Sequence, residues 1–322
     1  MFVDYLVGDV VGFRFLVVEP IHDVGVKLLK RFGEVTVLPP GSGVEDLKRA
    51  IVDVDAVVSR GFIKITRDVL LAAKRLKVIG VHGVGVDHID LDAARELGVK
   101  VINTPTALTD TVAEFTIGMI ISLLRRIPQA DRAVRRSEWD RKFSDLVGFD
   151  LAGRIVGILG LGKIGSAVAR RLKPFNVKLI YYDKVRKLDL ERELEVRFRS
   201  LDDLLRESDI LCIHVPLTEE TYHMISYREF ELMKNGVFIV NMARGAVIDE
   251  EALIEYLRKG KIGGAALDVF EVEPLPLSSP LLEFENVILT PHLGASSVDA
   301  LKRMAVEVAA RILEELGVDL SS

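Results

Sequence analysis

Short apolar runs alternate with amphipathic stretches along nearly the whole chain, the pattern that mostly parallel sheets flanked by helices require. In the first part, strands are predicted at FLVVE (15–19), VTVLP (35–39), AVVSR (56–60), KVIGV (77–81) and KVINT (100–104). Helices are predicted between them at 21–32, 44–52, 66–76 and 90–98, the last closed by Gly98, a residue suited to a left-handed cap. The longer and more hydrophobic segment from Leu108 to Ile127 is predicted as one buried connecting helix, halted by Pro128. A second strand series follows at 155–160, 178–183, 209–216, 236–243, 264–270 and 286–292. Helices alternate with it, most clearly at 249–260, where Asp249 can cap the start and Gly260 the end, and the tail from Ala295 to Leu316 is one last amphipathic helix. No fixed-period repeat and no low-complexity linker interrupts the series, so a domain boundary is expected inside an ordered element such as the 108–127 helix.

A chain of 322 residues is about twice the usual domain length, which makes two domains the natural expectation. Hydrophobic residues are 49% and charged residues 28%, as in ordinary globular proteins, and no apolar run is long enough to cross a bilayer. The N-terminal apolar stretch lacks a basic n-region and a cleavage site, so it is not read as a signal peptide, and its first dozen residues are expected to be a loose extension. The single cysteine, Cys212, lies in the apolar run DILCIHVPL. That excludes an internal disulfide and favours a buried thiol in a reducing compartment, with the cytoplasm as the default. The net charge of -5 is mild. The basic cluster Arg125, Arg126, Arg132, Arg135 and Arg136 is interleaved with apolar residues at roughly helical spacing, so it reads as a solvated or subunit-facing helix and not as a nucleic-acid site.

Candidate chemistry begins with RIVGILGLGKIGSAVARRL (154–172), a strand running into a glycine-rich turn and a helix. Gly160, Gly162 and Gly165 form G-x-G-x-x-G, whose three positions serve the tight turn, the approach of backbone to a pyrophosphate, and helix-to-strand packing. Amides at the helix start and the positive end of its dipole then meet the phosphate charge. The next strand ends in Asp183, 18 residues after the last glycine, where an acidic residue belongs if it accepts hydrogen bonds from the adenosine ribose. A carboxylate about 4 Å from a 2′-phosphate repels it by roughly 4 kcal/mol per unit charge at an effective dielectric near 20. NAD is therefore expected over NADP, with Lys184, Arg186 and Lys187 read as a solvated turn.

Four further runs, VHGVGVDHID (81–90), VNMARGAVIDEEAL (240–253), GAALDVFEVEPL (264–275) and TPHLGAS (290–296), resemble the D-isomer-specific 2-hydroxyacid dehydrogenases, and the resemblance covers about Phe15 to Leu316. It implies an α/β fold of two Rossmann-like domains, with the NAD-binding domain (105–290) inserted into a split flavodoxin-like substrate domain (1–104 and 291–322). The central position of the glycine fingerprint then follows from the insertion. By the same resemblance Arg244 binds the substrate carboxylate, His292 exchanges the C2 hydroxyl proton, and Glu273 pairs with that histidine. Val84 and Gly85 offer backbone N–H groups to the carboxylate, Lys163 and Ile164 present amides to the pyrophosphate, and His214, Val215 and Pro216 edge the adenosine. Met242, Ala243 and Gly294 pass near the nicotinamide end and Asp268 faces its carboxamide. No metal is implied, and Cys212 is core.

The partner is a small 2-hydroxy or 2-oxo acid. SRGFIKIT (59–66), with Arg60, resembles the segment by which 3-phosphoglycerate dehydrogenases place an arginine near the far anionic end of the substrate, and HLGAS is closer to them too. That reading brings a place in serine biosynthesis. Against it, NTPTALTDTVAEF (103–115) resembles the glyoxylate and hydroxypyruvate reductases, and no regulatory domain follows residue 322. The phosphoglycerate reading is preferred. Two rivals stand: an NAD(H)-sensing corepressor-like protein on the same fold, and an S-adenosylmethionine methyltransferase, which has no use for Arg244, Glu273 and His292. A homodimer is expected by analogy with the family.

Overall fold

The computed structural model describes residues 12–320, so the expected N-terminal extension lies, but for its last residue, outside the described residues. Two compact units make up the chain: residues up to Leu108 with those from Ala295 onward, and Thr109–Gly294. The breaks come four residues beyond the expected 104 and 290, at the first residue of a helix and in a loop.

The first segment of unit 1 runs β1 (Phe13–Val17), α1 (Asp23–Lys30), β2 (Gly33–Val37), α2 (Val44–Ala50), β3 (Ala56–Ser59), α3 (Arg67–Ala72), β4 (Val78–Val81), α4 (Leu91–Glu96) and β5 (Lys100–Asn103). Unit 2 opens with α5 (Thr109–Leu124) and α6 (Ile127–Arg135). It continues through β6 (Ile155–Leu159), α7 (Lys163–Leu172), β7 (Lys178–Tyr182), α8 (Leu188–Leu194), β8 (Arg197–Phe198), α9 (Leu201–Glu207) and β9 (Ile210–Ile213). It closes with α10 (Tyr227–Leu232), β10 (Val237–Asn241), α11 (Glu250–Arg258), β11 (Ile262–Leu267) and β12 (Val287–Leu289), after which α12 (Val298–Glu315) returns to unit 1.

Unit 1 holds a five-stranded parallel sheet in the order β2-β1-β3-β4-β5, the flavodoxin-like arrangement. Its central strands read as nearly continuous apolar runs because both faces are covered. Alternate residues divide between the faces: Leu16, Val57 and Ile79 pack with Leu47, Val69 and Ala93, while Phe15, Val58 and Val78 pack with Leu29, Val308 and Ile312. The tail helix is thus part of this core.

Unit 2 holds a seven-stranded parallel sheet in the order β12-β11-β10-β9-β6-β7-β8. Renumbered from β6 this is 3-2-1-4-5-6-7, the doubly wound dinucleotide order with one added strand, and the order reverses between β6 and β9. α5 packs on α7, β10 and β11 and buries Val112, Thr116, Met119, Ile120 and Leu123, a stripe at helical spacing.

The single helix expected over 108–127 is a correction. α5 ends at Leu124, Arg126 turns through the left-handed region (φ 52°), and Pro128 is the second residue of α6. Proline starts the new helix because the first turn has no intrahelical use for its missing N–H. The basic cluster divides accordingly, with Arg125 and Arg126 in the break and Arg132 and Arg135 on α6. No helix among the described residues is long and apolar enough to cross a membrane.

Candidate active site

The glycine turn follows β6 directly, and its three glycines answer three different demands. Gly160 has φ +94°, and a Cβ there would lie 2.8 Å from Val215 Cγ1 and 3.0 Å from the His214 carbonyl, so the turn passes tightly over the chain leaving β9. A Cβ on Gly165 would come within 2.1 Å of the Gly160 carbonyl oxygen, which makes the close seating of α7 on β6 possible. Gly162 is different: its φ is -78°, its Cβ would meet nothing within 4 Å, and it is the N-cap of α7 with no side chain to occupy the opening amides. Backbone sterics do not demand glycine there. The open space over the amides of Lys163 and Ile164, at the positive end of a helix, fits a pyrophosphate approaching the backbone.

Beside this turn, β7 delivers Asp183, whose Oδ2 accepts a hydrogen bond from Leu161 N at 3.0 Å and whose Oδ1 accepts one from Val185 N at 3.3 Å. The cations that follow it are taken up locally. Lys184 pairs with Glu220, and Arg186 grips Glu191 at 2.7 and 2.9 Å while lying over the Phe198 ring. On the other side of the turn, both ring nitrogens of His214 are buried with no hydrogen-bond partner, and burial pushes this imidazole down to about 4. Pro216 accepts from Thr221 Oγ1 at 2.6 Å. Cys212, one turn of strand earlier, is fully buried and its thiol is pushed up to about 12, so it is core as expected.

The expected catalytic set comes together within unit 2. His292 Nδ1 lies 2.9 Å from Glu273 Oε2, and Glu273 Oε1 accepts from Phe270 N at 3.1 Å. Burial alone would raise the Glu273 carboxyl, but the bond to His292, the His292 charge, the Phe270 N–H and the Arg244 charge outweigh it and hold the group below its usual value. Arg244 follows β10, and its Nη1 donates to Ala243 O at 2.6 Å. The next residue explains its place: a Cβ on Gly245 would overlap the Phe270 carbonyl at 1.9–2.1 Å, so backbone meets backbone and the arginine turn is drawn against the segment that carries Glu273. Asn241 shapes the same turn, accepting from Ala243 N at 3.0 Å and donating to Arg244 O at 2.9 Å around Met242.

His292 itself adopts a left-handed φ of 54°, a conformation that costs a residue with a Cβ about 1–2 kcal/mol. Asp268 holds it there. Its carboxylate, almost fully buried, accepts from Thr290 Oγ1 at 2.6 Å, Leu293 N at 2.7 Å and Gly294 N at 2.7 Å, and its carbonyl accepts from His292 N at 2.9 Å. Asp268 was expected only to face the cofactor, and its grip on the histidine loop, like the parts of Asn241 and Thr290, had no signal in the sequence beyond its place at a strand end.

Unit 1 carries the remaining expected residues. Val84 and Gly85 lie on the loop after β4, tied to β5 by Asn103 Nδ2 donating to Val84 O at 2.8 Å and Gly83 N donating to Thr104 Oγ1 at 3.0 Å. Arg60 follows β3, with its guanidinium donating to Pro20 O at 2.9 Å and its N–H to Glu19 at 2.7 Å. His82, at the end of β4, is buried, and burial together with the Arg60 charge pushes it down to about 4.

One other cluster, His223, Asp249 and Glu271, brings ligand-type atoms within 4.8 Å of one another. Its oxygens are already engaged: Asp249 caps α11 through Ala252 N (3.1 Å) and accepts from Ser226 Oγ (2.8 Å), while Glu271 accepts from Glu250 N (3.0 Å). It ties the starts of α10 and α11 together.

A family model described as D-isomer specific 2-hydroxyacid dehydrogenase, NAD binding domain, matches residues 117–294. A glyoxylate reductase from Thermofilum pendens is 46% identical over 308 residues, covering 93% of this chain and 90% of that protein. A D-3-phosphoglycerate dehydrogenase from Methanocaldococcus jannaschii is 44% identical over 309 residues, covering 96% of this chain but 58% of that protein, so the chain spans little more than half of this relative. Among solved structures, a D-lactate dehydrogenase from Aquifex aeolicus complexed with NAD and lactic acid matches with a TM-score of 0.82 at 32% identity, covering 94% of this chain and 97% of that one. With its parallel sheets, its glycine turn and its His–Glu pair, the chain belongs to the D-isomer specific 2-hydroxyacid dehydrogenase family, NAD-dependent oxidoreductases acting on the CH–OH group.

Proposed function

We propose that this dehydrogenase acts on D-3-phosphoglycerate, converting it to 3-phosphohydroxypyruvate. The observation that carries the substrate reading is Arg60. It stands just beyond the carboxyl end of β3, beside the reversal of strand order between β1 and β3 where open α/β sheets take their ligands. Among the described residues its guanidinium forms no ion pair and donates only to a carbonyl, leaving its charge for a second anionic group.

In this reading Arg244 grips the carboxylate through its planar fork, and the N–H groups of Val84 and Gly85 add to that grip. His292, with Nδ1 turned to Glu273, takes the C2 hydroxyl proton on Nε2 and returns it in the reverse direction. Glu273 orients the ring. When bound, NAD supplies the acceptor for the hydride that leaves C2. The Gly160–Gly165 turn and the first amides of α7 hold the pyrophosphate, Asp183 the ribose, and His214 to Pro216 edge the adenosine, with Met242, Ala243, Asp268 and Gly294 at the nicotinamide end.

The test is a panel of phosphorylated and small 2-oxo acids assayed with NADH on the wild type and Arg60→Ala. Loss of a charge-assisted hydrogen bond is worth about 1.5–3 kcal/mol, so KM for 3-phosphohydroxypyruvate is expected to rise about 10- to 100-fold while that for glyoxylate barely moves. Equal changes for both would overturn the assignment in favour of the second reading, a glyoxylate or hydroxypyruvate reductase. That reading is supported by the 46% identical relative named glyoxylate reductase.

A homodimer is supported by the stretch from α6 to β6, where Ile127, Val134, Trp139, Phe143 and Val147 stand exposed, an apolar set suited to a second copy. The buried single thiol of Cys212 suits a reducing compartment, in keeping with the cytoplasm.

A further inference from the structure

The carboxylate of Glu19 is among the few buried charged groups of unit 1, at 8% exposure. The chain leaves β1 through Val18 and Glu19, and from there Glu19 reaches across to the loop after β3. Its Oε2 accepts from Arg60 N at 2.7 Å, and its Oε1 accepts from Phe62 N at 3.1 Å and Ile63 N at 3.0 Å. Three N–H groups of one short loop therefore converge on one carboxylate, and no cation pairs with it among the described residues. The loop is otherwise held by few bonds. Ser59 Oγ accepts from Gly61 N at 3.3 Å and lies 3.0 Å from His88 Nε2, and Gly61 takes φ +103°, which lets the chain double back.

Burying a carboxylate is unfavourable unless its lone pairs are met, and an apolar residue of similar volume would fill the same space at less cost. What the carboxylate does that an apolar residue cannot is to fix three backbone donors, and with them the Cα of Arg60. The guanidinium is fastened at its other end to Pro20 O, the carbonyl next to Glu19 in the chain. Both ends of the arginine are thus referred to the end of β1. The three N–H groups meet the lone pairs of Glu19, no ion pair joins Glu19 to the Arg60 guanidinium among the described residues, and the adjoining His82 is held neutral by burial and by the Arg60 charge.

We infer that Glu19 is a positioning residue for Arg60: by clamping the 60–63 loop across the β1–β3 reversal, it sets the discrimination between substrates with and without a distal anionic group. This rests on the phosphoglycerate reading of Arg60. Glu19→Gln keeps the volume but turns an amide NH2 toward N–H groups now met by oxygen, since both carboxylate oxygens accept, and the loop must shift.

The experiment compares wild type, Glu19→Gln, Arg60→Ala and the double variant, measuring KM and kcat for 3-phosphohydroxypyruvate and glyoxylate with NADH. Glu19→Gln is expected to raise the KM ratio of the phosphorylated to the small substrate about 10-fold and to leave kcat on glyoxylate within about twofold. The double variant is expected to match Arg60→Ala alone, because a residue acting through Arg60 has nothing left to act on. A Glu19→Gln ratio unchanged while Arg60→Ala raises it, or effects that simply add in the double variant, would overturn the inference and leave the phosphoglycerate reading standing. An Arg60→Ala ratio that does not move would remove both. If Glu19→Gln does not fold, Glu19→Asp, which keeps the charge and retracts the oxygens by one methylene, decides by the same ratio: a rise supports the clamp and no change overturns it.

Discussion

At the scale of single residues, the reactive pair depends on geometry that other side chains impose. His292 sits in a left-handed conformation because Asp268 gathers Thr290, Leu293 and Gly294 around its carboxylate, and its ring is aimed by Glu273. An imidazole so held is placed for proton exchange, not for packing. His292→Asn is therefore expected to lower kcat by about 10²- to 10⁴-fold while the NADH dissociation constant, read by fluorescence titration, stays within about twofold. A variant with wild-type turnover would remove His292 from the chemistry. The types and order of Arg244, Glu273 and His292 were legible from their motifs. The contact of Glu273 with His292 was implied only by the family resemblance, because 19 residues of chain separate the two partners of the hydrogen bond and nothing local dictates where a loop of that length closes.

Elements show the same division between what is local and what is not. In the strand–turn–helix from β6 to α7, the three glycines answer different demands, near in the chain only for Gly165, and those demands can be told apart by substitution. Gly162→Ala adds a Cβ to open space at an N-cap, so stability should fall by less than about 1 kcal/mol while NADH binding weakens at least about 10-fold. Gly165→Ala drives a Cβ into the Gly160 carbonyl and should cost about 1–3 kcal/mol of stability, seen as a lower urea midpoint. A normal NADH affinity in Gly162→Ala would mean that no phosphate approaches that backbone. The break between α5 and α6 is the opposite case. Pro128 reads as a stop in a hydrophobic periodicity that continues past it, and only the left-handed turn at Arg126 reveals that it opens a second helix.

For the molecule as a whole, two histidines with buried ring nitrogens, one in each unit, link stability to pH. Burial, with the Arg60 charge added at His82, pushes both His82 and His214 down to about 4. An unfolded chain takes protons on these rings below about 6.5, while the folded rings accept them only near 4. The unfolded state therefore binds more protons on these rings in that window, and their contribution to stability falls as pH drops from about 6.5 to 4 and is constant below it. Denaturant melts at pH 7, 5.5 and 4 are expected to show this loss, and His82→Leu to reduce it. A wild type equally stable across the window would show that these rings are not held neutral by the fold.

Strand and helix alternation, the phosphate-binding turn and the acidic residue ending β7 were determined by the sequence alone, since each is a matter of periodicity or of motif spacing along the chain, while the three reactive side chains were legible only through the motifs that resemble the family. The sheet orders, the seating of α12 in the core of unit 1, the clamp of Asp268 on the histidine loop 22–26 residues away and that of Glu19 on N–H groups 41–44 residues away were decided by tertiary structure. A carboxylate at a strand end has two acceptors and many donors within reach of the unfolded chain, and only the packing of neighbouring strands selects which of them it meets.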